Sequence, residues 1–325
     1  MNNVSDQRAP NERRRRRFFL RLLLILFGLL ATAVLLELGL RVIGVVARPG
    51  DLAGGRSVPK DIHMVILCVG DSHTQGRRAP EGLDYPSQLE ILLNLANRES
   101  GYLVVNLGRT GNNSSLVLNQ TKRYLAAAKR MPDIVIFNAG YNNCWNFEDA
   151  NILPRDIAAG SARAQIRYLA AKSRVLRFSR ITLNRLEQLA ASSSGEIFQA
   201  QRNSVLNQQD KNEVEFLTEW MLQDLVALDC EVRGHRAKLA LLSYWNDVPW
   251  VDEAYRRMAR RYGTPVIDVR NFGGKKTELS ITRPVPLVAP DCHPNKFGYA
   301  RIAQLVERAL YDRGLIPRPP LVPVR

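Results

Sequence analysis

Histidine and cysteine are both scarce, at four residues each, and no two cysteines form a CxxC pair. That spacing argues against a zinc site. No Cys/His finger is present, nor the mixture of aromatic and basic residues that marks an RNA-binding surface, which sets nucleic acid aside as a partner. Acidic side chains are also short, 31 against 46 lysines and arginines, leaving a net charge of +15. Such a surplus favours anionic partners, a lipid surface or an acidic polymer, and carries no information about fold. The chain has no internal repeat and no low-complexity segment. Its 325 residues are enough for a sizeable core and roughly one to two domains.

The charge is concentrated at the start. Residues 1–48 hold nine arginines against three acids, and five of the arginines stand together at 13–17. A run of 19 residues, 18–36, follows with Arg21 as its one charge. About 20 apolar residues are needed to cross a bilayer. Arginines on the amino side of such a run keep that end in the cytoplasm. The sequence therefore predicts a basic cytoplasmic tail over 1–17 and a transmembrane anchor over 18–46. It places the chain in the inner (cytoplasmic) membrane as a single-pass protein, with its body periplasmic or extracellular. Residues 16–21 also resemble a twin-arginine export signal, and Val45-Val46-Ala47 a small-residue cleavage site. Glu37 and Arg41 lie between that site and the apolar run, and an uncleaved anchor is the expectation.

A linker rich in glycine, proline and charge covers 47–61. Beyond it, short runs of Val, Ile and Leu at 63–69, 103–107, 133–138, 237–244 and 265–269 read as strands. Helical stretches at 85–98, 114–129, 251–262 and 296–312 lie between and after them. This alternation predicts an α/β fold, a parallel sheet with helices on both faces. Ligands bind such sheets at the carboxyl ends of the strands. Residues 144–235 interrupt the rhythm and read as a helical insertion, with eight basic residues between 155 and 185 that fit the solvated face of a lid or cap. A proline-rich tail follows from 316 to 325. An exported body would permit disulfides. Three pairings of Cys68, Cys144, Cys230 and Cys292 are open, though Cys68, inside an apolar strand, reads as a core residue.

The first strand runs straight into Gly70-Asp71-Ser72. A serine hydroxyl is a weak nucleophile at neutral pH, and needs a base within hydrogen-bond reach and donors for the oxyanion that develops. Three other segments at strand ends or beside the last helix supply both: NLGRTGNNS (106–114), NAGYNN (138–143) and DCHPN (291–295). In this order the four blocks resemble the SGNH/GDSL hydrolase family, in a membrane-anchored bacterial form. The resemblance covers about 62–143 and 236–312. It implies a flavodoxin-like three-layer α/β/α domain with a five-stranded parallel sheet over 62–315, and Ser72 as nucleophile. It also implies His293 as general base, and the Ser72 N–H, Gly108 and Asn142 as oxyanion-hole donors. The family's aspartate stands three residues before the histidine, where this chain has Pro290. Asp291, two before, is the nearest carboxylate, and the alternatives are a Ser-His dyad or a backbone carbonyl that orients the ring.

His63 and His235 read as structural, and His73 as a residue that shapes the nucleophile loop. Asp71 reads as a partner of nearby loop amides. Tyr141 and Trp145 flank Asn142 and fit either a cleft wall or packing. Cys144 and Cys292 each adjoin a site residue, so a bridge between them would tie two loops together. The function expected is a serine esterase acting through an acyl-serine on cell-envelope carbohydrate or lipid esters, with no metal and no organic cofactor. An O-acyltransferase using the same acyl-serine, or a polysaccharide-binding module without catalysis, are the rival readings.

Overall fold

The computed structural model describes residues 8–46, 62–97, 101–151, 166, 173–176, 179, 211–270, 277–279, 284–286 and 293–318. The chain divides into two compact units, Met1–Gly50 with Ser173–Leu186, and Asp51–Lys172 with Glu187–Arg325. In the first unit a single helix, α1 (Arg8–Val46), carries the apolar run. Its stretch Arg15–Leu40 is 26 residues long with a mean hydropathy of 2.6, long and apolar enough to cross a membrane. Near its end Glu37 accepts hydrogen bonds from the Ser173 hydroxyl and the Val175 N–H, both at 3.0 Å.

The second unit is built on five parallel strands: β1 (Ile62–Gly70), β2 (Gly101–Gly108), β3 (Ile134–Asn138), β4 (Lys238–Leu242) and β5 (Val266–Ile267). Their order across the sheet is β2-β1-β3-β4-β5, the flavodoxin-like order, whose switch point falls between β1 and β3. Residues of β1, β3 and β4 are buried on both faces, which is why the sequence shows unbroken apolar runs there. Leu67, Val69, Val135, Phe137, Leu239 and Leu241 point to one face. Ile66, Cys68, Ile134, Ile136, Ala240 and Leu242 point to the other.

Helices cover both faces. A one-turn helix, α2 (Ser72–Gln75), follows β1, and α3 (Tyr85–Ala96) crosses to β2. Next come α4 (Ser114–Ala127), α5 (Lys211–Gly234), α6 (Pro249–Tyr262) and α7 (Lys296–Asp312). Leucines and aromatics of α4, α5 and α6 form the core of the first face, and those of α3 and α7 the core of the second. Asp84, Asn113 and Asn295 cap α3, α4 and α7 with their side-chain oxygens, each satisfying N–H groups the helix start leaves open. A two-stranded antiparallel pair, β6 (Thr277–Leu279) and β7 (Pro284–Pro286), stands between β5 and α7.

One boundary differs from the sequence reading. Lys211–Gly234, assigned there to the insertion, is the crossover helix from β3 to β4, with Trp220, Met221, Leu225, Leu228 and Val232 fully buried. Most of 152–210 lies outside the described residues, as do the linker and the tail beyond Arg318.

Candidate active site

β1 ends in Gly70 because nothing larger fits. A Cβ there would fall 2.1 Å from the Thr74 hydroxyl and 2.3 Å from the Asn138 carbonyl oxygen. The Asp71 N–H donates to that same carbonyl at 3.2 Å, which fastens the strand end to β3. The chain then turns at once into α2. Asp71 Oδ1 caps the turn by accepting the His73 N–H at 2.9 Å. Gly76 closes it at φ +84°, packed so tightly on Asp84 that a Cβ would sit 2.3 Å from its Cβ. Ser72 is thereby held at the first position of a rigid turn, at the carboxyl edge of the sheet beside the switch point.

His293 arrives from far along the chain, two residues ahead of the Asn295 cap of α7. Its Nε2 lies 2.8 Å from Ser72 Oγ. With the ring proton on Nδ1, Nε2 accepts the serine hydroxyl. The structure thus brings Ser72 and His293, far apart in the sequence, into direct contact. Asp291 and Cys292 lie outside the described residues.

Asn142 sits in a short 3-10 turn, Tyr141–Cys144, directly after β3. Its Nδ2 donates to the Asn112 carbonyl at 2.9 Å and lies 3.4 Å from Asp71 Oδ2, while its Oδ1 accepts the Trp145 indole N–H at 3.0 Å. The amide is therefore held at both ends and faces the nucleophile turn. Trp145, left between cleft and packing by its sequence, orients this amide. Cys144 is buried and donates to the Tyr141 carbonyl.

Gly108 behaves differently from expectation. Its N–H donates to Asn106 Oδ1 at 2.8 Å. A Cβ at this position would lie 2.1 Å from the Gln75 nitrogen, so the glycine lets β2 run close beneath the nucleophile turn. In the loop beyond it, Gly111 takes the left-handed conformation at φ +82° and its carbonyl accepts the Asn146 amide at 2.7 Å.

Two features are invisible in the motifs. Tyr244, just past β4, donates its hydroxyl to Asp71 Oδ2 at 2.6 Å, and accepts the Tyr141 N–H at 3.1 Å. Burial first, and the Asp71 carboxylate second, push its phenol well above the usual range, so it remains a donor. The second feature is a buried polar cluster behind the Asn142 loop. Asp224 of α5 accepts the hydroxyls of Ser114 and Ser115 at 2.6 and 2.7 Å and the Asn151 amide at 3.1 Å. Asn143 joins the cluster, accepting the Ser114 N–H at 2.9 Å and donating to the Ser114 hydroxyl at 2.7 Å. Burial pushes the Asp224 carboxyl up to about 6 against the lowering effect of these hydrogen bonds. Among the described residues no group of three or more His, Cys, Asp or Glu side chains is placed to hold a metal ion.

The arrangement can move a proton from Ser72 Oγ to His293 Nε2, with the Asn142 amide held against Asp71 of the same turn. A family model, the GDSL-like lipase/acylhydrolase family, matches residues 68–301. Among solved structures, the chain is similar to a lipolytic protein of the G-D-S-L family from Veillonella parvula, at 13% identity and TM-score 0.43, over 77% of this chain and 99% of that one. A psychrotrophic esterase from Pseudoalteromonas sp. gives 12% identity and TM-score 0.45, over 78% and 99%. A lipase/acylhydrolase from Enterococcus faecalis gives 15% and 0.42, over 77% and 96%. No curated protein matches the sequence significantly.

Proposed function

The chain belongs to the GDSL-like lipase/acylhydrolase family, a family of ester hydrolases, and from that premise we propose that it cleaves esters through an acyl-serine formed on Ser72. One observation carries the reading: the 2.8 Å contact between Ser72 Oγ and His293 Nε2. Oγ attacks the ester carbonyl carbon as its proton passes to Nε2. The tetrahedral intermediate collapses when the leaving alkoxide takes that proton. Water then gives a proton to Nε2 and attacks the acyl-serine, and that proton passes to Ser72 Oγ as the acyl–Oγ bond breaks and the acid leaves. Asp291 is the proposed orienting carboxylate for the His293 ring.

The oxyanion donors in this reading are the Ser72 N–H and the Asn142 amide, whose Nδ2 lies 3.4 Å from Asp71 Oδ2, a long contact that a substrate oxyanion would replace. Gly108 joins them only if its N–H leaves Asn106 Oδ1. An apolar helix of 26 residues is about 39 Å long, sufficient for a bilayer core of about 30 Å. With the arginines at 13–17 it supports an anchor whose amino end is cytoplasmic, with the catalytic domain on the exported side. That location, and the basic body, favour esters on cell-envelope carbohydrate or lipid as substrates.

The test uses the full chain in detergent, treated with a serine-directed fluorophosphonate beside Ser72→Ala and read by intact mass. A single adduct on the parent chain that disappears in the variant is expected. Equal labelling of both, or a folded parent that takes no label and hydrolyses no ester, overturns the reading.

A further inference from the structure

Resting on the acyl-serine reading above, we propose that His73 is a positioning residue for His293, its imidazole being the face that holds the base's ring with Nε2 aimed at Ser72 Oγ. The two rings are stacked, with centroids 4.9 Å apart and planes 29° from parallel. That offset, face-on arrangement is one that π systems favour. A histidine needs such a support, because its χ2 torsion has a broad well and does not fix the ring plane by itself. Rotation about χ2 would swing Nε2 away from the hydroxyl. Displacement of a reacting group by about 1 Å is enough to cost on the order of a hundredfold in rate.

His73 is itself well fixed. It is 6% exposed. Its backbone N–H is held by Asp71 Oδ1 at 2.9 Å, and its Nδ1 lies 3.4 Å from that same oxygen. Its ring meets Tyr244 edge to face, at 5.0 Å and 83°. The support and the nucleophile are also consecutive residues of one turn. Any movement of α2 carries Ser72 Oγ and the stacking face together, while His293 comes from 221 positions away and is brought to register by contact with both. Tyr244, Asp71 and His73 thus form a brace from β4 to the base's ring.

The test uses the full chain in detergent, with His73→Phe, which keeps a flat ring, and His73→Leu, which does not. With p-nitrophenyl acetate, His73→Leu is expected to lower kcat about tenfold or more with KM nearly constant, and His73→Phe to stay within about threefold of the parent. The chain has four histidines, so the imidazole region of the parent's NMR spectrum is simple. A nuclear Overhauser effect between the His73 and His293 ring protons is expected there. Full kcat in His73→Leu overturns the proposal. So does a His73→Phe variant that melts like the parent yet is as slow as His73→Leu, or a parent spectrum without the ring contact. A parent that takes no fluorophosphonate overturns the acyl-serine reading instead, and the ring contact, which needs no turnover, is then what decides for or against the brace.

Discussion

Tyr244 Oη donates a 2.6 Å hydrogen bond to Asp71 Oδ2, so the carboxylate next to the nucleophile is bound to the end of β4. Asp71 is 1% exposed. A buried carboxylate that loses its strong donor is destabilised by about 1–3 kcal/mol, since no water replaces the bond. Tyr244→Phe is therefore expected to lower the melting temperature by several degrees and to slow ester hydrolysis. The loss also frees the Tyr141 N–H, which Tyr244 accepts at 3.1 Å. Differential scanning calorimetry beside initial rates checks this, and an unchanged melting temperature would show that Asp71 does not depend on the phenol.

Gly108→Ala separates packing from donation. A methyl group there would lie 2.1 Å from the Gln75 nitrogen and 2.7 Å from its Cα, backbone atoms that cannot turn aside. The expected outcome is a protein that melts far lower than the parent or fails to accumulate. Gly111→Ala is strained only by its φ of +82°, with its nearest new contact an ordinary 3.5 Å from the Trp145 ring. It is expected to fold with a loss of about 1–2 kcal/mol. If Gly108→Ala melts like the parent, the close approach of β2 to the nucleophile turn is not what the glycine serves.

These two glycines also mark what the sequence could reveal. Burial on both faces produces continuous apolar runs, so β1, β3 and β4 were legible, and the residues at their ends located Ser72, Asn142 and the site's edge of the sheet. The apolar run at 265–269 is longer than the strand β5, Val266–Ile267, because an apolar run does not say where pairing stops. Lys211–Gly234 follows a long unmatched stretch and reads as part of the insertion, and only packing identifies it as a crossover. Gly108 reads as a donor because a sequence names a residue without giving the direction of its N–H. Tyr244 and His73 matter through contacts across the chain, and neither has a motif to announce it.

Asp291→Asn tests the orienting carboxylate. In a well-studied triad the equivalent amide costs about 10⁴ in kcat, because it favours the wrong imidazole tautomer. A fall of orders of magnitude in kcat at unchanged KM is expected here if Asp291 fills that role. A loss below about tenfold would assign His293 to a dyad braced by its neighbours.

The arginine block predicts topology. An alkaline phosphatase fused after Arg325 is expected to be active on the exported side in cells. Replacing the five arginines at 13–17 with glutamine should reduce that bias. Activity of a cytoplasmic reporter at the same position would place the catalytic unit on the other side.

Asp224 gives the chain a pH signature distinct from that of catalysis. Its carboxyl is raised from 3.8 to about 6 by burial, with Ser114, Ser115, Asn151 and Trp220 acting in the opposite sense. The unfolded chain thus loses this proton near pH 4, whereas the folded chain keeps it to about pH 6. Between those values the folded state binds more protons, and stability falls as pH rises, by roughly 3 kcal/mol in all, levelling off above pH 6. Asp224→Asn removes the titration while keeping the shape of the side chain. The parent should therefore gain stability relative to Asp224→Asn as pH is lowered from 7 to 4.5, in paired urea melts that cancel all other groups. Equal pH dependence in the two would mean that the carboxyl titrates normally, and that the cluster behind Asn143 is wetter than its hydrogen bonds imply.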